Sequence, residues 1–253
     1  MMFSNSKLNF IAEERIPLTV ASPGLVLGKA YRYAFIPHKI NEVSSLGAEA
    51  ECKLLNSALS QAGSAIKAEM AKVNKEISEI LATHLSFIED PLLKEAAYSL
   101  IKQNKTATFA WHKVTASEAN KLAGSNNSYL AARASDLHDI GQRVLNILLG
   151  QNVKVSYPKN SIVITQDVTP SMVIGFTPEV LAVVSVLGSP VSHASIMLQN
   201  MGITALYDAP EQLLQLPNGT PLIADGNAGL LVINAGKTTQ ESYTQSVSGQ
   251  QNR

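Results

Sequence analysis

Between residues 41 and 149 glycine is sparse, Ala, Leu, Glu and Lys dominate, and apolar positions recur at intervals of three and four. That spacing puts them on one helix face. Before this block, residues 17–35 hold short apolar runs split by Ser22-Pro23-Gly24 and Gly28. After it, from Gly150 onward, short apolar runs alternate with turn residues. Both flanks read as strands. A helical block with strand-forming sequence on each side is most simply built as an insertion into a single sheet shared by the two flanks.

The punctuation divides the block into helices at about 44–73, 76–88, 92–102, 106–122 and 129–149, with breaks at Glu89-Asp90-Pro91, Gly124-Ser-Asn-Asn127 and Gly150. The second flank offers strands at 161–165, 181–187, 204–207, 221–225 and 230–233, with short helical stretches at 170–176, 192–201 and 210–214. The expected architecture is therefore an α/β domain from residues 1–36 and 150–235, with an all-α helical bundle of residues 37–149 inserted into it. Residues 236–253, rich in Gln, Ser and Thr, are expected to be a flexible tail or linker stub.

Forty-five per cent hydrophobic residues suffice for two cores. The formal charge is zero, from 20 basic and 20 acidic side chains with no local basic cluster, so neither nucleic acid nor a membrane is an expected partner. Cys52 is the only cysteine, which excludes an intrachain disulfide and a thiolate-built zinc site. No apolar stretch approaches the roughly 18 residues of a membrane span, and a cytoplasmic location is expected. No Glu-x-x-His or His-x-Glu spacing occurs, so no metal site is expected.

The chemistry concentrates at His193. An apolar strand breaks at Gly188, Gly188 to Val191 read as a turn, Ser192 is a good N-cap, and Ile196, Met197 and Met201 keep the spacing of a buried helix face. The helix is expected to begin at the histidine. A helix start presents backbone N–H groups and a positive dipole end, both of which attract phosphate oxygens. Phosphoryl transfer asks mainly for positioning and charge stabilisation, so His193, supported by Gly188 and Ser192, is a candidate phosphoryl carrier.

Five collinear segments then carry a resemblance to enzyme I of the phosphoenolpyruvate-dependent sugar phosphotransferase system, specifically its N-terminal half. They are Ala21-Ser-Pro-Gly-Leu-Val-Leu-Gly-Lys-Ala30, His84-Leu-Ser-Phe-Ile-Glu-Asp90, Tyr129-Leu-x-x-Arg-Ala-x-Asp-Leu-His-Asp-Ile-Gly141, Asp167-Val-Thr-Pro-Ser171 and Ser192-His-Ala-Ser-Ile-Met197. The histidine loop alone also resembles pyruvate phosphate dikinase and phosphoenolpyruvate synthase, which lack the inserted helical block.

The resemblance implies a phosphohistidine (swivelling) domain in which His193 takes a phosphoryl group from phosphoenolpyruvate bound on a separate C-terminal barrel and passes it to the histidine phosphocarrier HPr. It implies a helical block that docks HPr through His84, Phe87, Asp90, Leu93, Leu122, Leu130 and Arg133. No cofactor is expected in this chain; magnesium is expected only with the C-terminal domain, in cis or in trans. Because the sequence stops at Arg253, before such a barrel, the chain by itself is not expected to use phosphoenolpyruvate. Val191 and Val173 stand where the family usually has threonine, which leaves open a second reading: a regulatory or binding module that docks a phosphocarrier without transfer.

Overall fold

The computed structural model describes residues 12–33, 40–125, 128–151 and 155–250, apart from the side chains of 128–132 and 246–250. The chain divides into two compact units, Met1–Phe35 with Val155–Val168 and Gly175–Arg253, and Ile36–Lys154 with Thr169–Ile174. No helix among the described residues is long and apolar enough to cross a membrane.

The first unit is a sheet of β1 (Glu14–Pro17), β2 (Thr19–Ser22), β3 (Leu25–Arg32), β4 (Ser161–Thr165), β5 (Val180–Ser185), β6 (Thr204–Tyr207), β7 (Pro221–Asp225) and β8 (Leu230–Ile233). Its order is β1-β8-β7-β3-β4-β5-β6-β2. Strands β3 to β6 pair in parallel, and the remaining neighbours pair antiparallel. Parallel neighbours need a long crossover, and between β3 and β4 that crossover is the whole helical block. The apolar strands at the centre are buried on both faces: all five residues of β4 are inaccessible.

The outermost strands in that order, β1 and β2, are separated in the chain by Leu18 alone, so together they form one kinked strand that pairs β8 with its first half and β6 with its second. The sheet must therefore roll until its two sides meet. Ile16, Ala30, Ile162, Ile164, Ala182, Val184, Leu206, Leu222, Leu231 and Ile233 accordingly converge in one interior cluster, completed by Leu213 and Leu216 from a 3-10 turn at Glu211–Gln215.

The helical unit holds α1 (Ala48–Met70), α2 (Lys75–Glu89), α3 (Pro91–Lys102), α4 (Ala107–Ala123) and α5 (Ser128–Leu148), with the short α6 (Pro170–Ile174). Side chains start the helices where the sequence suggests: Asn74 accepts from the Ile77 N–H, Asp90 from Leu92 ahead of Pro91 at the first helical position, and Thr106 from Phe109. Leu55, Ala62, Ile66, Leu81, Ile101, Trp111 and Ile140 form fully buried parts of its core. Glu51, also buried, accepts from the Ala107 N–H at 2.8 Å and from the Ser44 hydroxyl at 2.6 Å, placing a carboxylate at the positive end of α4.

Two expectations need correction. Residues 169–174 belong with the helical unit, because the Ser171 N–H donates to the Asp139 carboxylate of α5 at 3.0 Å. The segment expected as a flexible tail forms α8 (His193 helix α7 being His193–Asn200), spanning Lys237–Gln250. Its start is tied to the sheet unit by Glu13, which accepts from the Gly236 N–H at 2.8 Å and the Thr239 hydroxyl at 2.9 Å, and Tyr243 packs on Ile223 and Val232.

Candidate functional site

Strand β5 ends at Ser185, and the chain turns through Gly188 into α7, whose first residue is His193. Gly188 has φ +125, a conformation that side chains resist, and a Cβ there would stand 3.3 Å from the ring of Tyr207. The turn closes with the Ser192 N–H donating to the Ser189 carbonyl at 2.9 Å. Ser192 is extended (φ −70, ψ 158) and its side chain accepts from the Ser195 N–H at 3.2 Å, the geometry of an N-cap. The three residues named for phosphate chemistry are thus consecutive parts of one turn-to-helix junction.

Ser195 joins this junction to the sheet. Its hydroxyl donates to the Ser189 carbonyl at 2.6 Å, and lies 2.9 Å from the Ser192 hydroxyl and 2.8 Å from the Tyr207 hydroxyl. Having one proton, it accepts from the other two. Tyr207 is 1% exposed, and burial, the largest influence, raises its phenol above the ordinary value. The phenol therefore stays protonated and donates. His193 is half-buried with its Nδ1 shielded from solvent, whereas Val191, two residues earlier, is 79% exposed.

The opening Ala21-Ser-Pro-Gly24 segment supports the same unit from the other end of α7. Gln199 donates to the Ala21 carbonyl at 2.5 Å, and the Gly226 N–H to the Gly24 carbonyl at 2.7 Å. A Cβ on Gly24 would collide with the Thr204 hydroxyl, and its φ of +139 is one that side chains resist, so glycine fits this crossing of β6 and the β7–β8 turn.

In the helical unit the docking candidates separate. His84 and Leu93 are 0% and 5% exposed. The reason is periodic: Ile77, Ile80, Leu81, His84 and Ile88 form the buried stripe of α2. The His84 Nε2 lies 3.5 Å from Asp136 and its Nδ1 3.9 Å from Asp139, both on α5 and both buried. Asp136 also faces Arg133 at 3.4 Å. Phe87, Asp90, Leu122 and Arg133 are half-buried, Asp90 being occupied as the α3 cap, and the Leu130 side chain lies outside the described residues. Ser195, Tyr207, Asp136 and Asp139 are the site residues that sequence reasoning missed. The first pair hides in apolar helix and strand patterns; the aspartates stood in a quoted segment without an assigned partner.

Comparison with known proteins agrees with this arrangement. The family described as PEP-utilising enzyme, N-terminal, matches residues 19–133, and that described as PEP-utilising enzyme, mobile domain, matches residues 157–229. The chain is 29% identical over 240 residues to the phosphoenolpyruvate-protein phosphotransferase of Priestia megaterium, covering 88% of this chain and 40% of that protein. It is 35% identical over 159 residues to the multiphosphoryl transfer protein of Rhodobacter capsulatus, covering 61% of this chain and 19% of the relative. The chain therefore spans less than half the length of these relatives. An NMR solution structure of Enzyme I (nEIt) superposes with a TM-score of 0.71 at 30% identity, over 93% of this chain and 99% of that one. With a rolled α/β unit interrupted by a helical block, and with matches on both parts, this chain belongs to the phosphoenolpyruvate-utilising enzyme family and corresponds to the N-terminal region of enzyme I.

Proposed function

We propose that the chain is a phosphohistidine module in which His193 accepts a phosphoryl group and passes it to the histidine of an HPr-type carrier, as part of a phosphoenolpyruvate-dependent relay. The observation that carries this reading is the position of His193 as the first residue of a helix capped by Ser192. In each step a ring-nitrogen lone pair forms the new P–N bond while the bond to the departing group breaks, and that group keeps the electron pair. The loop supplies a fixed imidazole and the helix start supplies charge stabilisation. Exchange between two imidazoles draws on no cofactor from this chain; phosphoenolpyruvate and magnesium belong to a C-terminal domain, in cis or in trans.

His84, Phe87, Asp90, Leu93, Leu122, Leu130 and Arg133 are the residues of the helical unit assigned to meet the carrier. The test is to mix the protein with phosphorylated HPr and follow acid-labile, base-stable label by 31P NMR. One phosphate on His193 is expected, with none on His193→Ala. No label on the wild-type protein would sink the transfer reading.

A second reading, carrier binding without transfer, draws on Val191, which brings an exposed apolar side chain close to His193. It predicts a titratable complex with HPr and no exchange of label.

A further inference from the structure

Tyr207 touches both ends of the arc that carries His193. Its ring walls Gly188 at the start, where even a methyl group would crowd it at 3.3 Å, and its hydroxyl reaches Ser195, in the first turn of α7, at 2.8 Å. We propose that Tyr207 is a positioning residue for His193, acting through Ser195 to hold the turn and the first helical residues in one geometry. This rests on the reading of His193 as a phosphoryl carrier.

Three observations support it. The hydroxyl relay has a single consistent direction, Tyr207 to Ser195 to the Ser189 carbonyl, because Ser195 has only one proton and spends it on Ser189 at 2.6 Å. Ser195 and Tyr207 are 0% and 1% exposed, so water does not substitute for either partner. Strand β6 is otherwise Thr-Ala-Leu, all buried, and an apolar side chain at its last position would fill the space without the desolvation that a phenol incurs. What the hydroxyl adds is a fixed point on the loop before His193 and on the helix after it. Geometry matters at such a centre, since a displacement of about 1 Å typically costs on the order of a hundredfold in rate.

The experiment uses the full chain with Tyr207→Phe, which keeps the ring against Gly188 and removes only the hydroxyl. Transfer from phosphorylated HPr should slow about tenfold at saturating carrier, the equivalent of one lost hydrogen bond, with KM for the carrier unchanged. The His193 ring signals in 1H–15N spectra should shift or broaden while those of the other four of its 5 histidines stay in place. Ser195→Ala should give the same change, and the double variant should be no slower than the slower single one.

Wild-type rate and unmoved His193 signals in Tyr207→Phe would overturn the proposal. So would a slowing accompanied by shifts at all histidines, which marks general loss of packing. If the wild-type chain takes no phosphate at all, the transfer reading fails on its own, and the His193 signals of the two single variants still decide the positioning claim.

Discussion

Gly188 shows how much of the histidine loop is written locally. Its identity, the Ser192 cap and the helix start at His193 all follow from neighbouring residues, and all three are legible in the sequence. Replacing Gly188 with Ala forces a side chain into φ +125 and against the Tyr207 ring. A loss of about 1–3 kcal/mol is expected, read from the urea midpoint. The partners that cross the fold were not legible. Tyr207 sits 12 positions from Ser195 in a strand whose apolar pattern masks its hydroxyl, and Asp136 and Asp139 are more than fifty positions from His84. Replacing the buried His84 with His84→Ala leaves a cavity on the inner face of α2, at a cost of about 3 kcal/mol in thermal unfolding.

Elements with a strong apolar period were found close to their true limits, because burial of one face is what forms them. The fourth strand, expected at 161–165, is Ser161–Thr165, and the helix expected at 92–102 is Pro91–Lys102. Helix α8 was missed for the converse reason: its sequence is polar, and one aromatic, Tyr243, together with a distant carboxylate anchors it. Glu13 is held below the usual carboxylate value first by the Gly236 N–H, then by the Thr239 hydroxyl and Arg15. The depressed value means that the anchoring is complete above the ordinary carboxylate pKa and is lost as pH falls through the lowered one. Amide protection factors at the start of α8, measured against the intrinsic exchange rate at each pH, should therefore fall in acid, below the usual carboxylate range. Glu13→Gln should show fast exchange there already at neutral pH; unchanged protection in both experiments would refute the anchor.

At the scale of the molecule, periodicity identified an insertion but not how the sheet closes, since nothing local tells β1 and β2 to pair on opposite sides. Deleting residues 14–22 removes the kinked strand that joins β8 to β6. The single tryptophan, Trp111, is wholly buried in the helical unit, whose core contains none of the deleted residues. The deletion should abolish dispersed amide signals from the sheet while Trp111 fluorescence keeps its buried, blue-shifted emission; a red shift would show that the helical core depends on sheet closure. Closure has one more consequence. Among the described residues only β1 and β2, four residues each, keep a side with open backbone groups, so another chain has almost no edge there on which to add a strand. The sheet unit is thereby shielded from edge-to-edge sticking, and whatever binds it must recognise side chains and loops rather than extend the ladder.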